Sequence, residues 1–300
     1  MFFSTIIITS NHNNFFEIEI AKKGIKVFDL YRGNSFFLRN LRGFWFKCGF
    51  PFSHIWFNKY ILKLNVENII IFDSLVIDKY LDWLYKKKHS SRIILWYWNP
   101  FKKSLNHSVG DTINIERWSY SKNDSLKFDL KYNTQFYFKS IHLPMLEIEY
   151  DVFFVGRDKG RLSELLKLEN YLNELGIKTN FHITPDRKKN RYKNKYYKKV
   201  ISYKKVLSLI AQSKVILDYL ANPYEDITLR VMESIFLKKK IITNSQIIEL
   251  YDFYCKENIF VLGKDNIQDL PNFINSEYMK VDNNIIENYE FSNWLNRFNL

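Results

Sequence analysis

Short, unbroken apolar runs punctuate the chain, and apolar residues at helical spacing lie between them. Residues 4–9, 26–30, 67–72 (ENIIIF) and 92–98 (RIILWYW) read as buried strands, with residues 112–116 and 135–138 as further ones. After residue 72, Leu75, Ile77, Tyr80, Leu81 and Leu84 fall on one helical face. The rhythm breaks near His142 and Pro144 and then restarts. Strands are expected at 150–155, 179–183, 215–220, 240–243 and 259–262. Helices are expected at 161–175 (leucine-striped and ended by Gly176), 202–212, 229–237 and 247–254. Continuous buried strands separated by helices predict parallel sheets covered on both faces.

The expected fold class is therefore α/β, with two Rossmann-like domains facing a central cleft. The first domain is expected over residues 1–143 and the second over 144–282; residues 283–300 would form a helix crossing back to the first. Three hundred residues, 46% of them apolar, supply core for two such domains, and only 9 glycines and 6 prolines argue against a loop-rich all-β design. In parallel sheets of this kind ligands bind outside the carboxyl ends of the strands.

Charge narrows the partners. The formal net charge of +13 suits nucleic acid, an anionic membrane surface or phosphorylated small molecules, and does not choose among them. Cys48 and Cys255 fall in different expected domains, which fits a reducing compartment, and no Cys/His cluster has zinc-site spacing. The N-terminus lacks a basic n-region and reads as a first strand. No apolar run approaches the ~20 residues needed to span a bilayer, so a cytoplasmic protein is expected, resting at most on a membrane surface.

Residues 215–244 form the most informative stretch, a strand–loop–helix–strand unit that places a helix N-terminus at a sheet's carboxyl edge. Asp226 or Thr228 is placed to cap that helix. Arg230 and Glu233, three apart, share a face: a cation for a diphosphate and a carboxylate for ribose hydroxyls, or else a simple ion pair in solvent. A second loop after residue 155 carries Gly156, Arg157, Lys159 and Arg161. Glycine permits close backbone approach to phosphate, Arg157 could grip it at two points and Lys159 could add a point charge; a tight turn with solvated cations is the alternative. Asp73 directly follows the 67–72 strand, as a general base, a holder of sugar hydroxyls, or the N-cap of the next helix. Asn99 ends the 92–98 strand among aromatics suited to sugars or to a plain core. His12 and His107 fall in predicted loops, each a candidate base or an ordinary histidine. The run 187–199 (RKKNRYKNKYYKK) interleaves cations with tyrosines, which suits single-stranded nucleic acid, lipid headgroups or a solvated loop.

Several of these segments, in order, resemble the bacterial two-Rossmann (GT-B) glycosyltransferases of lipopolysaccharide and capsular polysaccharide assembly. The resembling pieces are IIIFDS at 69–74, RIILWYWNP at 92–100, WSYSKND and FDLKYNTQFY within 118–137, YDVFFVGRDKGR at 150–161, ITLRVMESIFLKKKIITN at 227–244 and YDFYCKENIFVLG at 251–263. The resemblance implies a nucleotide-sugar donor on the second domain, with Gly156 and Arg157 on the phosphate side, Thr228 opening the donor helix, and Arg230 and Glu233 on it; Lys159, from the loop's own cations, joins the donor-binding candidates. It implies a glycan or lipid-linked saccharide acceptor on the first domain, near Asp73; His12 as a second candidate base and Asn99 as an acceptor-binding residue come from the loop and strand-end reading, and contact with the anionic inner-membrane surface, with no nucleic-acid partner, is expected. The retaining members of the family carry a second glutamate eight positions before Glu233; Glu225 stands there, in a loop. No Asp-x-Asp motif is present, so neither a metal nor a cofactor is implied beyond the donor itself. A basic nucleic-acid-binding protein and an inactive GT-B-like assembly partner are the competing readings.

Overall fold

The structure is a computed structural model that describes residues 4–101, 113–186 and 194–300. Within it the chain separates into two compact units, Met1–Thr134 with Trp294–Leu300, and Gln135–Asn293.

The first unit contains β1 (Thr5–Thr9), α1 (Phe15–Lys22), β2 (Lys26–Asp29), α2 (Phe36–Lys47), β3 (Asn68–Phe72), α3 (Asp78–Lys87), β4 (Arg92–Tyr97), β5 (Glu116–Ser119), α4 (Lys122–Lys127) and β6 (Lys131–Tyr132). Its six strands pair in parallel in the order β2-β1-β3-β4-β5-β6. The isoleucine-rich runs of β1 and β3 are buried along their whole lengths, as strands with both faces covered must be. Ile6, Ile8, Ile69, Ile71, Ile93 and Leu95 meet Tyr80, Leu81 and Leu84 of α3 in one core.

The second unit contains β7 (Tyr150–Arg157), α5 (Leu162–Glu174), β8 (Thr179–Thr184), α6 (Tyr203–Ala211), β9 (Ser213–Asp218), α7 (Leu229–Leu237), β10 (Lys240–Thr243), β11 (Ile259–Val261), α8 (Leu270–Asn275) and α9 (Asn283–Tyr289). Its parallel order is β11-β10-β9-β7-β8. Val152, Phe154, Val215, Leu217, Ile242 and Phe260 form its core with Leu165 and Leu172 of α5.

The strand orders position the chemistry. In the first sheet the chain leaves β1 for β2 on one side and β3 on the other; in the second it leaves β7 for β8 on one side and β9 on the other. These reversals are the topological switch points, and the crevice beyond the carboxyl ends of the two strands is where such sheets bind ligands. The carboxyl ends are Thr9 and Phe72–Asp73 in the first unit, Gly156–Arg157 and Asp218 in the second.

Four expectations need correction. A strand at 135–138 reduces to an isolated bridge, Tyr137 with Glu290. That bridge breaks the expected helix over 283–300: Tyr137 donates to Tyr289 O at 2.8 Å and accepts from Phe291 N at 2.9 Å, so Glu290 is extended and a separate α10 (Phe291–Asn296) follows. Residues 247–254 form only a short 3-10 turn, Ile248–Leu250. The strand expected at 112–116 lies later, at β5. His107 and residues 187–193 of the basic run lie outside the described residues. Among the described residues, no helix is long and apolar enough to cross a membrane.

Candidate functional site

At the switch point of the second unit, β7 carries its buried core as far as Phe154 and ends at Gly156 and Arg157. Arg157 is exposed, and so is Lys159, whose amide donates to Asp186 Oδ1 at 3.1 Å. The third cation of this loop is the buried one. Arg161, 7% exposed, donates from Nη2 to Arg157 O (3.0 Å) and from Nε to Asp158 O (3.2 Å). Nothing in the spacing of the loop's cations singles it out.

Arg230 reaches the same place from α7. Its Nη2 donates to Val155 O, and its Nη1 lies 3.5 Å from Asp218 Oδ1, at the end of β9. The guanidinium carbons of Arg161 and Arg230 lie 5.4 and 5.5 Å from the centroid of the Phe154 ring. Gly156 makes room for both: a Cβ there would meet Arg230 Nη2 at 3.0 Å and Arg161 Nη2 at 3.3 Å. Glycine at this position is thus a steric need for packed cations, its φ being ordinary. Burial and the nearby Arg230 charge push the Arg161 guanidinium below its usual range, the signature of two cations held together out of water.

Thr228 caps α7, its Oγ1 accepting from Arg230 N at 3.1 Å and donating to Asp218 Oδ2 at 2.8 Å. That cap stabilises the helix by about 1 kcal/mol. Asp226 has another partner, accepting from Tyr251 OH at 2.7 Å. Because Thr228 also accepts from Val231 N through its carbonyl, the first turn offers an anion its dipole more than free amides. Arg230, in that turn, stands against the dipole, a cost that a bound anion would remove. Asp218, missed in the sequence because it closes an apolar run, is the buried carboxylate that partly offsets the two guanidiniums.

Glu233 is 3% exposed and accepts from Tyr203 OH at 2.8 Å, while Tyr203 and Tyr137 share a hydrogen bond of 2.6 Å between their hydroxyls. The alternative of an Arg230–Glu233 ion pair in solvent does not hold, since Glu233 is buried. Instead Glu233 Oε2, Arg230 Nε and Asp218 Oδ1 are buried without a hydrogen-bond partner among the described residues. Buried polar atoms without a hydrogen bond are expensive, and the two on α7, Arg230 Nε and Glu233 Oε2, beside Asp218 at the end of β9, mark a site prepared for a polar ligand. Burial pushes the Glu233 carboxyl up to about 7, against the opposing influence of Arg230 and Tyr203. Glu225 stays in the loop before α7.

The raised Glu233 value sets a pH dependence. The folded chain holds this proton more tightly than the unfolded chain, so the contribution to stability is complete below about 4.5 and is lost as pH climbs through about 7. The rise corresponds to about 3 kcal/mol at alkaline pH. Glu233→Gln is expected to melt close to the parent at pH 5 and several degrees above it at pH 8.5; thermal unfolding curves that stay parallel across that range would remove the assignment of a strained buried carboxylate.

In the first unit, a cavity of about 260 Å³ is lined by Thr9, Ser10, Asn14, Phe16, Glu17, Phe72, Ser74, Trp98 and Asn99. Asp73 lies between two of these residues in sequence. Its Oδ1 accepts from Trp98 N at 2.9 Å, and Asn99 hydrogen-bonds it through backbone and side chain. Burial pushes Asp73 up to about 6, those hydrogen bonds holding it from rising further. It is not an N-cap, since α3 starts later, after Ile77. His12 is exposed and pairs through Nδ1 with Asp29 Oδ2 at 2.8 Å, which leaves Nε2 for proton transfer. Glu17, not anticipated, is a buried carboxylate on the cavity wall; its Oε1 accepts from Thr9 Oγ1 at 2.9 Å and Asn14 Nδ2 at 3.3 Å. Among the described residues, no group of His, Cys, Asp and Glu is arranged to hold a metal ion.

No family model and no curated protein sequence matches this chain. Among solved structures, the chain is similar to T4 phage BGT in complex with its UDP-glucose substrate, at 15% identity and a TM-score of 0.54, over 98% of this chain and 98% of that one. At that identity the likeness is one of fold: α/β with two Rossmann-like domains, the GT-B architecture.

Proposed function

We propose that this protein is a glycosyltransferase that moves a sugar from a nucleoside-diphosphate sugar to a glycan or lipid-linked saccharide, in the assembly of a bacterial surface polysaccharide. The observation that carries the proposal is the pair of guanidiniums around Gly156, Arg161 buried and Arg230 half-buried, beside the buried Arg230 Nε and Glu233 Oε2 that have no hydrogen-bond partner among the described residues. A diphosphate would satisfy the guanidinium left without a full set of partners and add charge against the Arg161–Arg230 repulsion. The fold neighbour was solved with UDP-glucose, which makes UDP the first nucleotide to try.

In this reading Arg161 and Arg230, aided by Arg157, Lys159 and the dipole of α7, hold the diphosphate and take its charge as it leaves; this needs no bound metal. Thr228 orients the start of α7, and Glu233 Oε2 accepts from the ribose hydroxyls. On the first unit, Asn99 and the aromatic wall of the cavity hold the acceptor sugar. Asp73 removes the proton of the attacking hydroxyl, with His12 as the second base to test. The protein works in the cytoplasm, at the inner face of the membrane.

The test is thermal unfolding with UDP, CDP and GDP, followed by hydrolysis of the matching nucleotide sugar. One nucleotide is expected to raise Tm in a dose-dependent way and its sugar to be slowly hydrolysed. A chain that ignores all three, and is shifted instead by single-stranded oligonucleotides, would be the nucleic-acid-binding protein its net charge also allows.

A further inference from the structure

α2 is built inside out. Its most buried side chain is Arg42, which donates to Arg32 O and Gly33 O and lies 4.3 Å from the Tyr31 ring centroid. Phe36, Phe37 and Phe44 point the other way, 70%, 72% and 57% exposed, while Phe46 packs on Tyr31 with ring centroids 5.6 Å apart. The segment that follows extends the apolar surface through Phe50, Phe52 and Ile55 and is fixed to the helix: Trp45 Nε1 donates to Pro51 O at 3.0 Å, and Phe50 packs edge-on against Trp45 at 5.2 Å. An exposed aromatic surface of this extent, held rigid, is a binding surface.

Its charge identifies the occupant. Between Asp29 and Glu67 the chain has no acidic residue, while Arg32, Arg39, Lys47, Lys59 and Lys63 are exposed there. A second copy meeting this face about a two-fold axis would oppose cation to cation. Nucleic acid would use the rings for stacking, but exposed Leu41 and Ile55 have no π face to offer. Apolar side chains that enter the acyl boundary, with cations at headgroup level, match an anionic bilayer on both counts. We infer that α2 and the segment after it, through residue 60, form the surface by which this protein docks on anionic lipid. The inference does not depend on the donor site.

The experiment is co-sedimentation of the full chain with vesicles of phosphatidylcholine alone and of phosphatidylcholine with one third phosphatidylglycerol. Capture by the anionic vesicles is expected to exceed capture by the neutral ones at least tenfold and to weaken with added salt. The triple variant Phe36→Gln, Phe37→Gln, Phe44→Gln is expected to lose at least tenfold. Neutralising Arg39, Lys47 and Lys59 by glutamine is expected to cost about fivefold per charge and abolish the anionic preference. All these side chains are exposed, and an unchanged Tm verifies the fold of each variant. Equal capture of parent and variants overturns the inference. So does capture of a single-stranded oligonucleotide, or a fall in oligomer mass, that follows the same variants while vesicles are ignored. Nucleotide-induced stabilisation in the same variants separates the two readings: if it is absent throughout while vesicle capture holds, the donor assignment alone falls.

Discussion

Arg161→Ala combined with Arg230→Ala is expected to weaken nucleoside-diphosphate binding by about 10²-fold or more, and with it the ligand-induced rise in Tm. Each guanidinium would make charge-assisted hydrogen bonds worth about 1.5–3 kcal/mol, roughly a 10- to 150-fold loss of affinity apiece. The two side chains share Gly156 and Phe154 as neighbours, so the losses will not add cleanly, but a combined drop of about 10² or more follows. Their effects on stability without ligand should differ. Arg161 is repelled by Arg230, so its removal relieves a buried like-charge contact. Arg230 is the ion-pair partner of Asp218, and its removal strands a carboxylate that is almost wholly buried. Arg161→Ala should therefore melt near the parent, and Arg230→Ala several degrees lower. Titration calorimetry with the stabilising nucleotide decides the matter: unchanged affinity in the double variant means that the diphosphate binds elsewhere.

The distinction between Arg161 and its neighbours shows where the sequence stops being legible. The loop GRDKGR displays three cations, and nothing in their order says which one packs on Phe154. Strand positions were readable because ENIIIF and VILD leave no polar face to solvent. Strand order was not, and it is the order that brings Gly156 beside Asp218 and Thr9 beside Phe72. Thr228, Arg230 and Glu233 could be placed on α7 from spacing alone, but not the burial that gives Glu233 its raised value, since Tyr203 comes from another helix. α1 and α2 escaped notice because helical reading assumes an apolar face turned inward. α1 buries Glu17 and Glu19 beside Ile20, and α2 buries an arginine. The break at Glu290 depends on Tyr137, far away in sequence, which no local pattern announces.

Asp73→Asn is expected to lower sugar transfer by about 10²- to 10⁴-fold, the range for loss of a positioned general base, while leaving nucleotide affinity unchanged. The substitution keeps the shape of the side chain and one acceptor oxygen for Trp98 N, so the local turn should survive. Burial has raised the Asp73 carboxyl to about 6, and a base must be ionised to work. The parent's transfer rate should accordingly rise with pH through about 6 and level off above it, and the variant should lose that limb of the profile. The linkage to stability has the opposite sign. A folded-state value above the unfolded one favours the protonated carboxyl, so its stabilising contribution is full below about 3.8 and is lost as pH rises through about 6. Activity gained and stability lost over the same pH interval would tie both to one group. Glu17 is the rival, a second buried carboxylate on the same unit's cavity wall. If Glu17→Gln removes the acid limb and Asp73→Asn retains both rate and profile, the base is Glu17, and Asp73 serves only to fasten Trp98 and Asn99 to the end of β3.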